Sequence, residues 1–425
     1  MAREYKDSGI EWIGQIPKEW EVGQVKQCFA RKNEKAQLEN PIVLSLARSG
    51  VKVRDISTNE GQMAESYFNY NPVEPNDLLI NPMDLYSGAN CSISNVKGVI
   101  SPAYINLRYL GNNNPRYYDY YFKTQYWSMA LFAHGKGVSF DNRWTLNADT
   151  LLRYTIPIPP TSEQQKIADY LDKVCGEVDE MVALQETMIE ELKAYKQSVI
   201  TEAVTKGLNP NVPMRNSGID WIGEIPEHWS TTKIKKIART NSGSTPRNIS
   251  DGENSNIVWI RTTDINDDVV YDSSLHLTSE EYSSASCPML DEGTCVVAMY
   301  GGGGTIGKSG MLGVKATINQ ALCSMEVGDS FTGEYLFCIL RSVRYYWMKY
   351  AVGTRKDPNI NQEIVRNMII PFPPIDEQRT IASYLGTKCS EIDSLIALKQ
   401  AKIEELKEYK KSVIYEYVTG KKEVV

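Results

Sequence analysis

The chain is written twice, and that fact limits its fold more than any other. "DSGIEWIGQIPKEW" at 7–20 returns as "NSGIDWIGEIPEHW" at 216–229. "IPIPPTSEQQKIADYL" at 156–171 returns as "IPFPPIDEQRTIASYL" at 370–385, and "IEELKAYKQSVI" at 189–200 as "IEELKEYKKSVI" at 403–414. Residues 156–205 and 370–419 are identical at 28 of 50 positions. Between these blocks, 21–155 and 230–369 have similar lengths but share almost no run. A period near 210 residues is far too long for a solenoid. The pattern is A–B–A′–B′: two alike helical blocks framing two unlike modules, as a chain needs if it is to present two different surfaces on one frame.

The alike blocks predict long helices. Each opens on consecutive prolines (Pro159–Pro160, Pro373–Pro374), which stop a preceding strand. Thr161 or Ser162 is a candidate N-cap in the first copy and Asp376 in the second, with Gly207 closing the first helix. That is about 44 residues, or roughly 65 Å. Ile167, Leu171, Val174, Val178, Met181, Met188, Leu192, Tyr195 and Val199 predict a heptad seam. Ile381, Leu385, Ile392, Leu395, Leu406, Tyr409 and Val413 repeat it, interrupted by Lys388, Lys399 and Lys402. A helix this long cannot bury its stripe alone, so the two copies are expected to pair antiparallel.

The unlike blocks predict mixed α/β modules. In the first, 41–47, 77–83 and 98–110 suggest strands and 116–135 an amphipathic helix. In the second, 256–265, 293–301 and 320–327 suggest strands and 332–353 a helix. The element order is the same, so two divergent copies of one domain fold are expected. The fold class is α+β: two α/β heads joined by two long antiparallel coiled-coil helices, with an internal pseudo-two-fold repeat. The divisions are 1–20, 21–155, 156–207, 208–229, 230–370 and 371–425.

Several function classes drop out. No apolar run reaches the roughly 20 residues of a membrane span, and the N-terminus lacks a signal-peptide core; a cytoplasmic protein is expected. The eight cysteines form no C-x-x-C pair, and the three histidines are far apart in sequence. No metal site is expected. The net charge of −7 argues superficially against nucleic acid, but residues 161–206 hold 5 basic and 10 acidic residues, while 21–155 hold 14 and 12. Local fields decide such contacts.

"GGGGTIGKSG" (301–310) contains G-x-x-x-x-G-K-[ST], the pattern of a phosphate-cradling loop. Such a loop must lead straight into a helix. Here Gly310 and Gly313 fall in the next turn and β-branched residues come after, so a tight turn between strands is expected, with Lys308 a candidate phosphate contact.

The doubled "P-P-x-x-E-Q-x-x-I-A-x-Y-L" at 159–171 and 373–385, the "G-I-[ED]-W-I-G-x-I-P" openings and the alternation of like and unlike blocks resemble the specificity subunit of type I restriction-modification enzymes. The resemblance covers essentially the whole chain. It implies that 21–155 and 230–370 are target-recognition domains, each reading half of a bipartite DNA site. The helices would set the spacer and dock two methyltransferase subunits, with restriction/translocase subunits joining the assembly. It also implies no catalytic residues in this chain and no directly bound cofactor; S-adenosylmethionine, ATP and magnesium belong on the partners.

Base reading wants Arg, Lys, Asn or Gln beside small hydroxyls, and phosphate contact wants Lys and Arg on loops. The first head offers Arg48, Lys52 and Arg54, then Lys136, Asn142 and Arg143. The second offers Arg247, Arg261 and Thr262, then Lys308, and then Arg355, Lys356 and Asn359. The last group stands where Asn142 and Arg143 stand, counting back from the double prolines. The Tyr-rich runs at 116–127 and 344–347 have helical spacing and are expected to be core and helix-face residues rather than base-stacking platforms. Two other classes stay open here: a nucleotide hydrolase built on the glycine loop, and a coiled-coil scaffold without a DNA role.

Overall fold

In both copies the double proline closes a two-stranded ribbon and starts a helix. Thr155–Ile158 pairs antiparallel with Glu21–Gln24, and Ile369–Phe372 with Ser230–Lys233. The computed structural model describes residues 3–47, 50–56, 64, 66–83, 85, 91–137, 144–246, 255–285, 287–301, 304–353 and 358–424. The long helices run over Thr161–Lys206 (46 residues) and Ile375–Val418 (44 residues). They begin on the residue after the second proline, so Thr161, Ser162 and Asp376 lie inside the first turn rather than at an N-cap. Gly207 comes directly after the first helix at φ +74, the left-handed conformation expected of a C-terminal glycine.

The buried stripe of these helices follows the heptad only in part. Ile167, Val178, Ile189 and Ile200 are all buried, as are Ile381, Ile392, Ile403 and Ile414. Each track steps by eleven residues, or about 3.67 per turn, close to the pitch of a straight helix. The heptad track drifts outward instead: Met181 and Tyr195 are 50% and 51% exposed, and Leu395 and Tyr409 48% and 53%. Tyr195 and Tyr409 are therefore corrected from seam to surface. Ile167, Leu171, Val178, Ile381, Leu385, Ile392, Leu406 and Val413 are buried as expected, while Leu192 and Val199 are half-buried. Each fully buried aliphatic side chain stabilises by roughly 1.5–3 kcal/mol.

The chain divides into two compact units that do not follow its linear order. One comprises Met1–Gln185 with Ala401–Val425, the other Glu186–Gln400. Each unit holds one head, the start of its own long helix and the end of the other. In the first unit the helices pair antiparallel through Lys410–Asp179 at 2.7 Å and Tyr170 on Tyr417, with ring centroids 4.5 Å apart. In the second, Lys196 meets Asp393 at 2.6 Å and Lys399 Nζ lies 3.1 Å from Met188 Sδ.

The E-Q pair of the repeated motif fastens each head to this frame. In the first unit Glu163 Oε2 accepts from the Trp20 indole at 2.8 Å, and its Oε1 meets Arg3 at 2.5 Å. In the second, Glu377 accepts from Trp229 at 2.9 Å and meets His228 at 2.7 Å. Buried Gln164 donates to Pro159 O and accepts from Asn114 N–H, each at 2.8 Å. Buried Gln378 donates to Pro373 O at 3.0 Å and accepts from Thr332 N–H at 2.9 Å. Asn114 and Thr332 are the N-caps of the two head helices. The third residue of each, Tyr117 or Tyr335, donates its hydroxyl to Val418 O or Val204 O at the C-terminal end of a long helix.

The heads share a core topology. In the first, β1 (Phe29–Arg31), β2 (Leu78–Ile80), β3 (Cys91–Ile93) and β4 (Ile105–Tyr109) form an antiparallel sheet of order β1-β4-β2-β3. Helix α1 (Pro115–Trp127) packs on it, and short α2 (Ala148–Leu152) precedes the double proline. In the second, β5 (Ala238–Ser242), β6 (Asp268–Val270), β7 (Cys295–Ala298), β8 (Ser309–Leu312) and β9 (Leu322–Val327) take the order β5-β9-β7-β8-β6. It is the same four strands plus β6, which pairs parallel with β8. Helices α3 (Gly333–Ser342) and α4 (Gln362–Asn367) take the places of α1 and α2. Both head helices are shorter than the periodicity predicts. The first stops before Met129, at φ +57, and the second at Val343, where the chain turns and Arg344 leaves to pair with Asp267. The Tyr-rich run of α1 is core, with Tyr117, Tyr118 and Tyr121 fully buried.

Candidate nucleic-acid interface

In each head the two ends of a loop, the finger, pair at the same place. In the first, Lys136 and Thr145 exchange backbone bonds of 2.8 and 3.0 Å. In the second, Val352–Gly353 pairs antiparallel with Pro358–Asn359. Thr145 and Asn359 each stand fourteen residues before the first proline of their pair. The anchors are equivalent too. Buried Leu146 donates its N–H to Pro82 O at 2.8 Å, and buried Ile360 to Met299 O at 2.9 Å. Pro82 and Met299 lie just beyond the ends of β2 and β7. The next residue, Asn147 or Asn361, caps α2 or α4 with its side chain. Trp144 adds a bond from its indole to Phe132 O at 2.8 Å. Two dissimilar sequences thus have their loop ends held beside the same strand end, by backbone bonds that ignore side-chain identity.

Of the residues predicted for this finger, Lys136 is exposed at its base and Asn359 is exposed on its returning strand. Asn142, Arg143, Arg355 and Lys356 lie outside the described residues, as do Arg48 and Arg247. Lys52 is exposed on the hairpin Leu44–Ala47/Gly50–Val53, opposite Ser45. Arg54 is half-buried just beyond it, its N–H on Val43 O at 2.8 Å. Arg261 and half-buried Thr262 come after a strand of a separate three-stranded sheet. The Arg261 guanidinium is engaged within its own head, 2.6 Å from Ser274 Oγ and 3.5 Å from Asp264 Oδ2.

The glycine-rich loop is the turn from β7 to β8, two antiparallel strands in register at Val297 and Ser309. Ser309 leads straight into strand, so no helix N-terminus is available to hold a nucleotide phosphate. The groups that would face such a phosphate are already occupied by an anion of the protein. Asp267 Oδ1 accepts from the Ser309 N–H at 2.8 Å and from its hydroxyl at 3.1 Å. The other Asp267 oxygen pairs with Arg344, whose Nη2 reaches Gly304 O at 3.5 Å. The corresponding turn in the first head, from β2 to β3, contains "LYSGAN". Sequence reasoning missed Asp267 and Arg344: nothing in "DINDD" or "RSVRYY" marks them as a pair across 77 residues. Among the described residues no group of three His, Cys, Asp or Glu could hold a metal ion. Among the same residues no helix is long and apolar enough to cross a membrane.

The family described as "Type I restriction modification DNA specificity domain" matches twice, over residues 17–194 and 226–408. Relatives include the type I restriction enzyme MjaVIII specificity subunit of Methanocaldococcus jannaschii, 24% identical over 82% of this chain and 80% of that protein. The EcoBI specificity subunit of Escherichia coli is 25% identical over 88% and 79%. Among solved structures, one described as bearing on complex assembly and conformational transition of the type I R-M system superposes with a TM-score of 0.71, at 14% identity over 95% of this chain and 98% of that one. The HsdS subunit from Thermoanaerobacter tengcongensis gives 0.52 at 14% identity and the same coverage. Both show a shared fold. The doubled family match spans most of the chain, its two halves coincide with the two finger-bearing heads and their helices, and the chain belongs to the type I restriction-modification specificity subunits, the non-catalytic components that carry DNA specificity.

Proposed function

We propose that each head reads one half of a bipartite duplex site through its finger, with the neighbouring strand turn contacting phosphate. The observation that carries this reading is the equivalent anchoring of the two fingers, Leu146 on Pro82 and Ile360 on Met299, in heads that share almost no sequence. A fixed mount with variable cargo is what two independent readers require. Arg143 in one finger and Arg355 with Lys356 in the other are the residues assigned to DNA, and Asn142 and Asn359 suit adenine edges. In this reading the long helices set the spacer.

The helices also dock two copies of one methyltransferase subunit. Supporting this, exposed apolar residues recur at equivalent positions of the two copies: Met181 and Leu395, Leu184 and Leu398, Tyr195 and Tyr409. Exposed apolar positions written twice suit a partner bound twice. Restriction/translocase subunits join through that assembly. S-adenosylmethionine, ATP and magnesium sit on those partners, and no cofactor binds this chain.

The test is binding of the assembled complex to duplexes altered in one half of the methylation-mapped site. Arg143→Ala is expected to relax discrimination in one half only and Arg355→Ala with Lys356→Ala in the other, each by about 1–3 kcal/mol per lost base contact. Equal relaxation in both halves from either variant contradicts the assignment.

A further inference from the structure

We propose that Asp267 and Arg344 form a latch that positions the glycine-rich loop, and with it Lys308, for contact with DNA phosphate. The latch rests on the reading of Lys308 as a phosphate contact.

A loop with four successive glycines has little conformational preference of its own, and ordering it on binding would subtract from affinity. From Gly304 to Ser309 this loop is instead held in the protein alone, through one ion pair. At its far end, Ser309 gives its N–H and hydroxyl to Asp267 Oδ1, and Asp267 N–H returns a bond to Ser309 O at 2.8 Å. At Gly304, the last of the four glycines, Arg344, paired with the other Asp267 oxygen, reaches the backbone carbonyl. Between them Gly307 lies at φ +77 against the Arg344–Trp347 turn. A Cβ there would stand 2.5 Å from Arg344 O and 2.6 Å from Trp347 Cδ1. The Ala298 N–H donates to Lys308 O at 2.8 Å, and Gly307 N–H to Ala298 O at 3.0 Å. The backbone carrying Lys308 is thus fixed beside Met299, the residue to which the finger is anchored.

The charge arrangement fits the same role. A lone carboxylate under this loop would repel phosphate. Arg344 neutralises it while keeping both of its oxygens in use, so Asp267 acts by holding the loop and touches no DNA itself. It adopts φ +62, a conformation that Asp tolerates better than most residues. Preorganisation of this kind raises affinity by removing the entropy of ordering from the binding step.

The experiment uses the full chain assembled with its modification subunits and a fluorescent duplex bearing the mapped site, titrated across a salt series. Lys308→Ala is expected to flatten the log–log salt slope by about 1. Asp267→Ala is expected to weaken binding roughly tenfold, the order of one or two residues' backbone ordering, and to flatten the slope as much as Lys308→Ala does. The double variant is expected to match the weaker single. Asp267→Asn, which keeps an acceptor for Ser309 but loses the pair with Arg344, is expected to fall between, and serves if Asp267→Ala fails to fold. Additive losses, or an unchanged slope in the Asp267 variants beside a flattened one in Lys308→Ala, overturn the latch alone. An unchanged slope in Lys308→Ala overturns the phosphate contact and the latch with it.

Discussion

The Trp20 indole donates to Glu163 Oε2 at 2.8 Å, and the same bond recurs from Trp229 to Glu377 at 2.9 Å. Both indoles are fully buried, so each carboxylate satisfies a donor that has no access to water. Glu163→Ala is expected to destabilise the first unit by about 1–3 kcal/mol and to leave the second unchanged. Hydrogen exchange during urea unfolding, followed for each unit separately, checks both parts of that expectation.

Gln164 and Gln378 bind the same frame from within. Replacing either by Leu leaves a head-helix cap N–H and a proline carbonyl unpaired in a dry site. Each loss costs about 1–3 kcal/mol, so these variants should be more damaging than Glu163→Ala. The amides of Asn114 and Thr332 should lose exchange protection in Gln164→Leu and Gln378→Leu respectively.

Lys32 and Asp77 form a buried pair at 2.6 Å, with each side chain under 5% exposed. Asp77 also accepts from the Glu74 N–H at 2.8 Å. Asp77→Ala strands the ammonium and is expected to cost roughly 3–5 kcal/mol, whereas an apolar replacement of both partners should cost less. Denaturant midpoints of the single and double variants decide this.

All eight cysteines are free and buried. Burial pushes Cys323 and Cys338 up to about 12, from an ordinary value of 9.0. The native chain should show no thiol reacting with a chromogenic disulfide reagent at neutral pH, and the unfolded chain eight. Above pH 9 these two thiols ionise in the unfolded chain, while in the folded chain they keep their protons. The folded state then binds more protons, and stability should fall as pH rises from 9 toward 12. Denaturation curves at pH 8 and pH 10.5 test the sign.

Much of this was legible because the repeat doubles every signal. The double prolines mark where both long helices begin, and counting back from them places both fingers. The seam was less legible. Heptad and eleven-residue tracks share Ile167 and Val178 and part beyond them, one toward Met181 and Tyr195, the other toward Ile189 and Ile200. Apolar residues occupy both tracks, so burial could not be assigned from pattern alone. The ends of the head helices are overrun because Met129, at φ +57, and Val343 are ordinary helix residues that carry no stop signal in the sequence. The Asp267–Arg344 pair joins residues far apart in a head without a sequence match in the other half, so no repeat exposed it.

The central claim is that the two heads read DNA independently. Its most direct measurement is methylome sequencing of a host in which residues 21–155 have been exchanged for the corresponding head of a relative with a different site. The account predicts a new bipartite motif in which one half changes while the other half and the spacer length persist. A motif changed in both halves, or in neither, would contradict it.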